Sequence, residues 1–169
     1  MKISFELTMD DWMAFQKHYL SSSKQFRQTK IFVMMMVPVI FFIFSLFQYF
    51  KGEFNYYTIA IYIVISLFWF FFHPKQFDKL CLKKTKKMLE EGNNSALLGI
   101  HNIEFNDDYF FVKEPGSEYK TNWSAINKVE ENERYIFIYI TSVSACIIPK
   151  FKIGDKKEKI VEFIKKKTS

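Results

Sequence analysis

Residues 30–75 read KIFVMMMVPVIFFIFSLFQYFKGEFNYYTIAIYIVISLFWFFFHPK, two apolar segments separated only by the polar interruption Lys51-Gly52-Glu53. Ile31–Phe50 carries no charge. As a helix rising about 1.5 Å per residue, its roughly twenty residues reach about 30 Å, the thickness of a bilayer's hydrocarbon layer. The segment 54–72 is equally free of charge and dominated by Ile, Phe, Tyr and Val. Core helices of a soluble domain keep a polar stripe for water, whereas these segments are apolar on all sides. The reading is a transmembrane helical hairpin over 31–72, with spans at 31–50 and 54–72. Pro38 removes one backbone donor inside the first span and predicts a local bend there. Tyr56, Tyr57 and Trp69 fall toward the ends of the second, where amphipathic rings favour the interface.

The connection between the spans is too short for anything but a tight turn, so both flanks lie on one side of the membrane. Charge chooses the side. Lys17, Lys24, Arg27 and Lys30 precede the hairpin, and Lys75, Lys79, Lys83, Lys84, Lys86 and Lys87 follow it, against Lys51 alone in the loop. By the positive-inside rule this predicts a multi-pass protein of the cell membrane with both termini cytoplasmic. The formal net charge of +6 belongs to the same picture. In a soluble protein such a balance raises nucleic-acid binding; beside membrane spans it is accounted for by orientation and by contact with anionic headgroups. Nucleic acid is therefore not expected as a partner, and the bilayer is. No Asp, Glu, Lys, Arg or His lies inside either span, which argues against an ion or proton pathway carried by this chain alone.

Residues 73–95 read as a basic, amphipathic helical linker. Phe77, Leu80, Cys81 and Met88 fall at helical spacing, Lys79, Lys83, Lys86 and Lys87 lie off that stripe, and Gly92 is placed to stop the helix. These four lysines are the candidates for lipid-headgroup contact, each contributing on the order of 1 kcal/mol near anionic lipid. The alternative is a solvated stalk.

From about Leu98 the pattern changes to short strands punctuated by turns. LGIHNIEF ends at Asn106-Asp107-Asp108, YFFVKE ends at Pro115-Gly116-Ser117, EYKTNW places Tyr119, Thr121 and Trp123 on one face, and YIFIYIT places Ile136, Ile138 and Ile140 on one face. AINKVEE and ACIIPK supply two further strands, the latter ended by Pro149, which cannot donate into a ladder. Gly154-Asp155, with Glu158 three residues on, predicts the cap of a closing helix whose apolar stripe is Ile160, Phe163 and Ile164. The amino terminus joins this arrangement. KISFELT alternates Ile3, Phe5 and Leu7 with polar residues, a half-buried strand with no neighbour nearby in sequence, so it is expected to pair with the strands after Leu98. Asp10 or Asp11 then starts a helix with Trp12, Phe15 and Tyr19 on one side. The expected organisation is a strand and juxtamembrane helix over 1–30, the hairpin, the linker, and an antiparallel β domain over 96–169.

That order of elements, together with Trp123, Ile126, Val129, the Tyr135–Ile140 strand and Ile147-Ile148-Pro149-Lys150, resembles the YcxB-like family of small bacterial membrane proteins. The resemblance implies an α+β membrane protein whose cytoplasmic part is an antiparallel, pleckstrin-homology-like barrel capped by a C-terminal helix. It implies no catalytic residues. Trp123, Ile126, Pro149 and Lys150 are framework positions on this reading, and a basic phosphate-binding loop is not recognisable.

Chemistry finds little foothold. His18, His73 and His101 are scattered, with His101 read as a half-exposed strand residue, and there is no GxSxG, P-loop or HExxH motif. Glu130, Glu131 and Glu133 read as solvated turn surface. Cys81 and Cys146 have no CxxC spacing, so neither a metal site nor a disulfide framework is suggested. No cofactor and no enzymatic activity are expected. The leading expectation is a membrane-anchored interaction module for an unknown protein or peptide. Protection against membrane-active peptides or envelope stress is the alternative, and sensing of anionic lipid the next.

Overall fold

The computed structural model describes residues 1–91 and 97–168. The chain divides into two units. One is built from residues 1–17 and 86–169, the other from residues 18–85 that separate them in sequence.

The second unit is a pair of long helices. After α1 (Met9–Ser22), α2 runs Lys24–Lys51 and α3 runs Tyr56–Glu91. Both ends of α2 and the start of α3 are capped. Ser23 accepts from the Phe26 amide at 3.3 Å to start α2. Gly52 ends it in the left-handed conformation, φ 72°, where a side chain would be strained. Its amide donates to Tyr49 O and that of Glu53 to Gln48 O, the two bonds of a Schellman motif. The side chain of Asn55 accepts from the Tyr57 amide at 2.9 Å, so α3 begins at Tyr56 and the expected span start at 54 falls in the turn. Both helices are long and apolar enough to cross a membrane, and neither contains a buried residue. Lys30 donates to Asp78 across the pair at 2.6 Å beside the mutually tilted rings of Phe26 and Phe77.

The basic segment is not a separate helix. α3 continues through Pro74 to Glu91, and the expected stripe is only half realised. Phe77 and Cys81 are partly covered, whereas Leu80 and Met88 are exposed. Gly92, read as the stop, lies outside the described residues.

The first unit is a two-sheet body. β1 (Lys2–Leu7), β2 (Gly99–Phe105), β3 (Tyr109–Glu114) and β4 (Ser117–Asn122) form an antiparallel sheet in sequential order; β5 (Lys128–Glu131), β6 (Tyr135–Tyr139) and β7 (Ala145–Pro149) form a second. β1 pairs with β2 in the register Ile3↔Ile103, Phe5↔His101, which puts Ile3, Phe5, Leu7, His101, Ile103 and Phe105 on one covered face. Every residue of β6 is buried. The reason is cover on both sides. Phe15 of α1 packs on Phe137 and Tyr139, with ring centroids 5.5 and 5.9 Å away, while Ile136 and Ile138 alternate onto the opposite face. α4 (Lys157–Thr168) buries Ile160 and Ile164, and its Phe163 meets Trp123 and Phe105 edge-on.

Among the described residues the two sheets do not close into the expected barrel. Two local features stop the ladder. After β4 the chain turns through a 3₁₀ segment, Trp123–Ala125, instead of running on as a strand. On the outer edge of β1, the carbonyls of Lys2 and Glu6 accept the amines of Lys156 and Lys152 rather than strand amides. Blocking an edge with lysine is a common protection against unwanted pairing. The closing helix also departs from expectation, since a 3₁₀ turn over Gly154–Lys156 leads into it in place of an Asp155 cap.

Candidate functional site

The inward faces of the two sheets leave a cavity of about 520 Å³ at one end of the first unit. Leu7 and His101 reach it from β1 and β2, Glu114 from β3, Tyr119 and Thr121 from β4, and Cys146 from β7. Trp12 and Phe15 of α1 close one wall. Strand parity places each. His101 has the parity of buried Ile103 and Phe105, so it points inward and is only 6% exposed, which corrects its reading as a half-exposed strand residue.

The His101 ring stacks on Phe5, centroids 6.0 Å apart and nearly parallel. Its Nδ1 lies 3.7 Å from Glu114 Oε2, and the ring also donates to the Leu97 backbone. Among the described residues its Nε2 has no hydrogen-bond partner. Burial lowers the imidazole pKa, against the opposing pull of Glu114 and Leu97, so the ring is neutral at physiological pH. With acceptors on the Nδ1 side, the proton sits on Nδ1 and Nε2 is a bare acceptor. Glu114 receives Ser117 Oγ on its Oε1 at 2.6 Å. Tyr119 and Cys146 hydrogen-bond across the gap between the sheets. Burial raises both, the thiol to about 12, so neither is ionised. A protonated thiol is an inert nucleophile. Among the described residues no group of three or more His, Cys, Asp or Glu could hold a metal ion.

The positions singled out from sequence lie elsewhere. Trp123 is a buried core residue whose Nε1 donates to Asn106 O at 2.8 Å and whose ring packs on Phe105 and Phe110. Ile126 follows the same 3₁₀ turn, half-buried. Pro149 ends β7 opposite Tyr135, and Lys150, 6% exposed, donates to Glu131 at 2.5 Å and to Asn132 O at 2.6 Å. Glu131 also meets Lys165 at 3.0 Å, and these two lysines hold its carboxyl below the ordinary range; it is a tie between β5, the turn after β7 and α4, not free turn surface. Lys79, Lys83, Lys86 and Lys87 are exposed along α3, the last two 3.6 and 3.3 Å from Glu90 and Glu91. None of these eight lines the cavity.

A second buried charge was also unforeseen. Asp11 accepts from the Thr8 amide and hydroxyl at 2.9 and 2.7 Å, from Tyr135 Oη at 3.0 Å and from Lys152 Nζ at 2.6 Å. Burial acts to raise its pKa, but Lys152, Thr8 and Tyr135 together outweigh it and hold the carboxyl below its usual value. The T-x-x-D spacing of a capping box was the available hint; the lysine and tyrosine, 141 and 124 residues away, had none.

No curated protein and no solved structure gives a significant match to the chain. The cavity's Glu114, Tyr119 and Cys146 lie inside the stretch that does match a known family, and His101 and the α1 wall lie outside it. Residues 105–166, from the end of β2 into α4, match the family model described as YcxB-like protein.

Proposed function

We propose that the chain is a membrane-anchored, non-enzymatic interaction module: a pleckstrin-homology-like body on the cytoplasmic side, tethered by a transmembrane hairpin, that docks a protein or peptide partner. One observation carries the reading. β1 pairs with β2 across almost a hundred residues, so the two apolar helices are an insertion whose two ends return to one folded body. An inserted hairpin leaves both flanks on one side of a bilayer, and the lysine bias assigns that side to the cytoplasm. Exposed Phe, Ile and Leu along both helices support lipid as their solvent. Four plus three antiparallel strands with a C-terminal helix is the element plan of a pleckstrin-homology-like body, which supports docking over catalysis.

The test is site-specific photo-crosslinking in living cells from exposed positions of the body, such as Ile100 and Phe151. Discrete adducts to another protein are expected from these positions; the absence of any discrete adduct from the exposed positions of the body would overturn the proposal. A reading as an anionic-lipid sensor is favoured only by exposed Lys79 and Lys83, since Lys86 and Lys87 share their charge with neighbouring glutamates.

A further inference from the structure

We infer that the cavity beside His101 is a binding site for an ammonium group carried on an apolar body. This goes beyond partner docking and does not depend on it.

Two independent features converge. The first is hydrogen-bonding sense. His101 is 94% buried by its 6% exposure, and its Nε2 has no hydrogen-bond donor among the described residues. A buried polar atom left without a partner is costly, and a donor placed against it would relieve that cost. Glu114 Oε2 stands 3.7 Å from the other side of the same ring, a second acceptor on the same wall. A ligand that fits must therefore donate. The second feature is charge. In a chain with 24 Lys and Arg against 18 Asp and Glu, the described lining includes Glu114 and no Lys or Arg. The cavity is thus locally negative in a basic protein, which favours a cation and repels a carboxylate or phosphate. An ammonium is both a donor and a cation.

The remaining wall defines the rest of the ligand. Leu7, Ile140 and Val143 are apolar, and Trp12, Phe15 and Tyr119 offer aromatic surface. Aromatic faces attract a cation within about 6 Å of the ring centroid. A volume of about 520 Å³ admits a small organic amine or one terminal residue of a peptide. The shared chemistry is the ammonium, and the source is separated by experiment.

The full chain, purified in an uncharged maltoside detergent, is probed by ligand-observed saturation-transfer NMR. Benzylammonium, benzyl alcohol and benzoate are compared at equal concentration, with Phe-Gly-Gly and its N-acetyl form as the peptide arm. Benzylammonium should bind more tightly than benzyl alcohol, and benzoate should give no transfer. Free Phe-Gly-Gly binding while the acetylated form does not identifies a peptide terminus as a competent source; benzylammonium alone identifies a small amine. Glu114→Gln keeps the shape but removes the charge, and should weaken benzylammonium about ten-fold. Val143→Trp, at a position 65% exposed and therefore tolerant of bulk, should block entry with the fold intact. Equal binding of benzoate, absence of benzylammonium binding at millimolar concentration, or an affinity untouched by both variants overturns the inference. Failure here leaves the crosslinking result of the docking proposal unaffected.

Discussion

Asp11 keeps a charge at 2% exposure because four donors reach it. Removing one member of a buried, hydrogen-bonded pair leaves the partner uncompensated, at a typical cost of about 3–5 kcal/mol. Asp11→Ala is expected to lower stability by about that amount in denaturant melts, and Lys152→Met, which leaves the buried carboxylate with only Thr8 and Tyr135 as donors, should cost a similar amount. Asp11's depressed pKa adds stability that is complete above its ordinary value of 3.8 and lost as pH falls through the folded value. His101 titrates first. Its folded pKa lies below the ordinary 6.5, so between the two values the unfolded chain binds more protons and stability falls as pH drops. Melting temperature should decline on acidification below about pH 6.5. In His101→Phe that part of the decline should flatten; an unchanged pH profile would remove His101 as its source. The inward orientation of His101 was legible from its parity with Ile103 and Phe105, but the ring's neighbours were not, because Glu114 and Cys146 arrive from other strands.

Among the elements, β1 decides whether the body exists. It is the edge of its sheet, with its outer carbonyls held by Lys152 and Lys156, and it supplies Ile3, Phe5 and Leu7 to the core. Removing residues 1–8 exposes β2 as a bare edge beside an uncovered apolar face, so the shortened chain is expected to aggregate in maltoside, read by size-exclusion chromatography. Trp123 acts at the same scale. Its ring joins Phe105, Phe110 and Phe163, linking the first sheet to α4, and Trp123→Ala should destabilise by about 3–5 kcal/mol in the same melts. The need for β1 to find a distant partner was visible from its alternation. The continuity of α3 was not, because the residue types change at Pro74 while the backbone hydrogen bonds run on.

At the scale of the whole molecule, the proposed anchor predicts that cysteines introduced near both termini are labelled by membrane-impermeant maleimide only after the inner membrane is opened. A cysteine at Gly52 should react from outside. The chain itself determined a good deal: two charge-free apolar runs, a short polar turn between them, strand alternation, and a first strand that had to pair far away. These are one-dimensional properties, since hydrophobic period, charge and turn chemistry act over a few residues and survive in the linear record. Only the tertiary structure decided that seven strands form two unclosed sheets, that Lys152 and Lys156 seal the edge of β1, and that a carboxylate, a neutral imidazole and a protonated thiol share one cavity. Those outcomes depend on contacts between residues tens to more than a hundred positions apart. Burial, partner and pKa are set there by whichever side chain arrives, and no local pattern encodes its arrival.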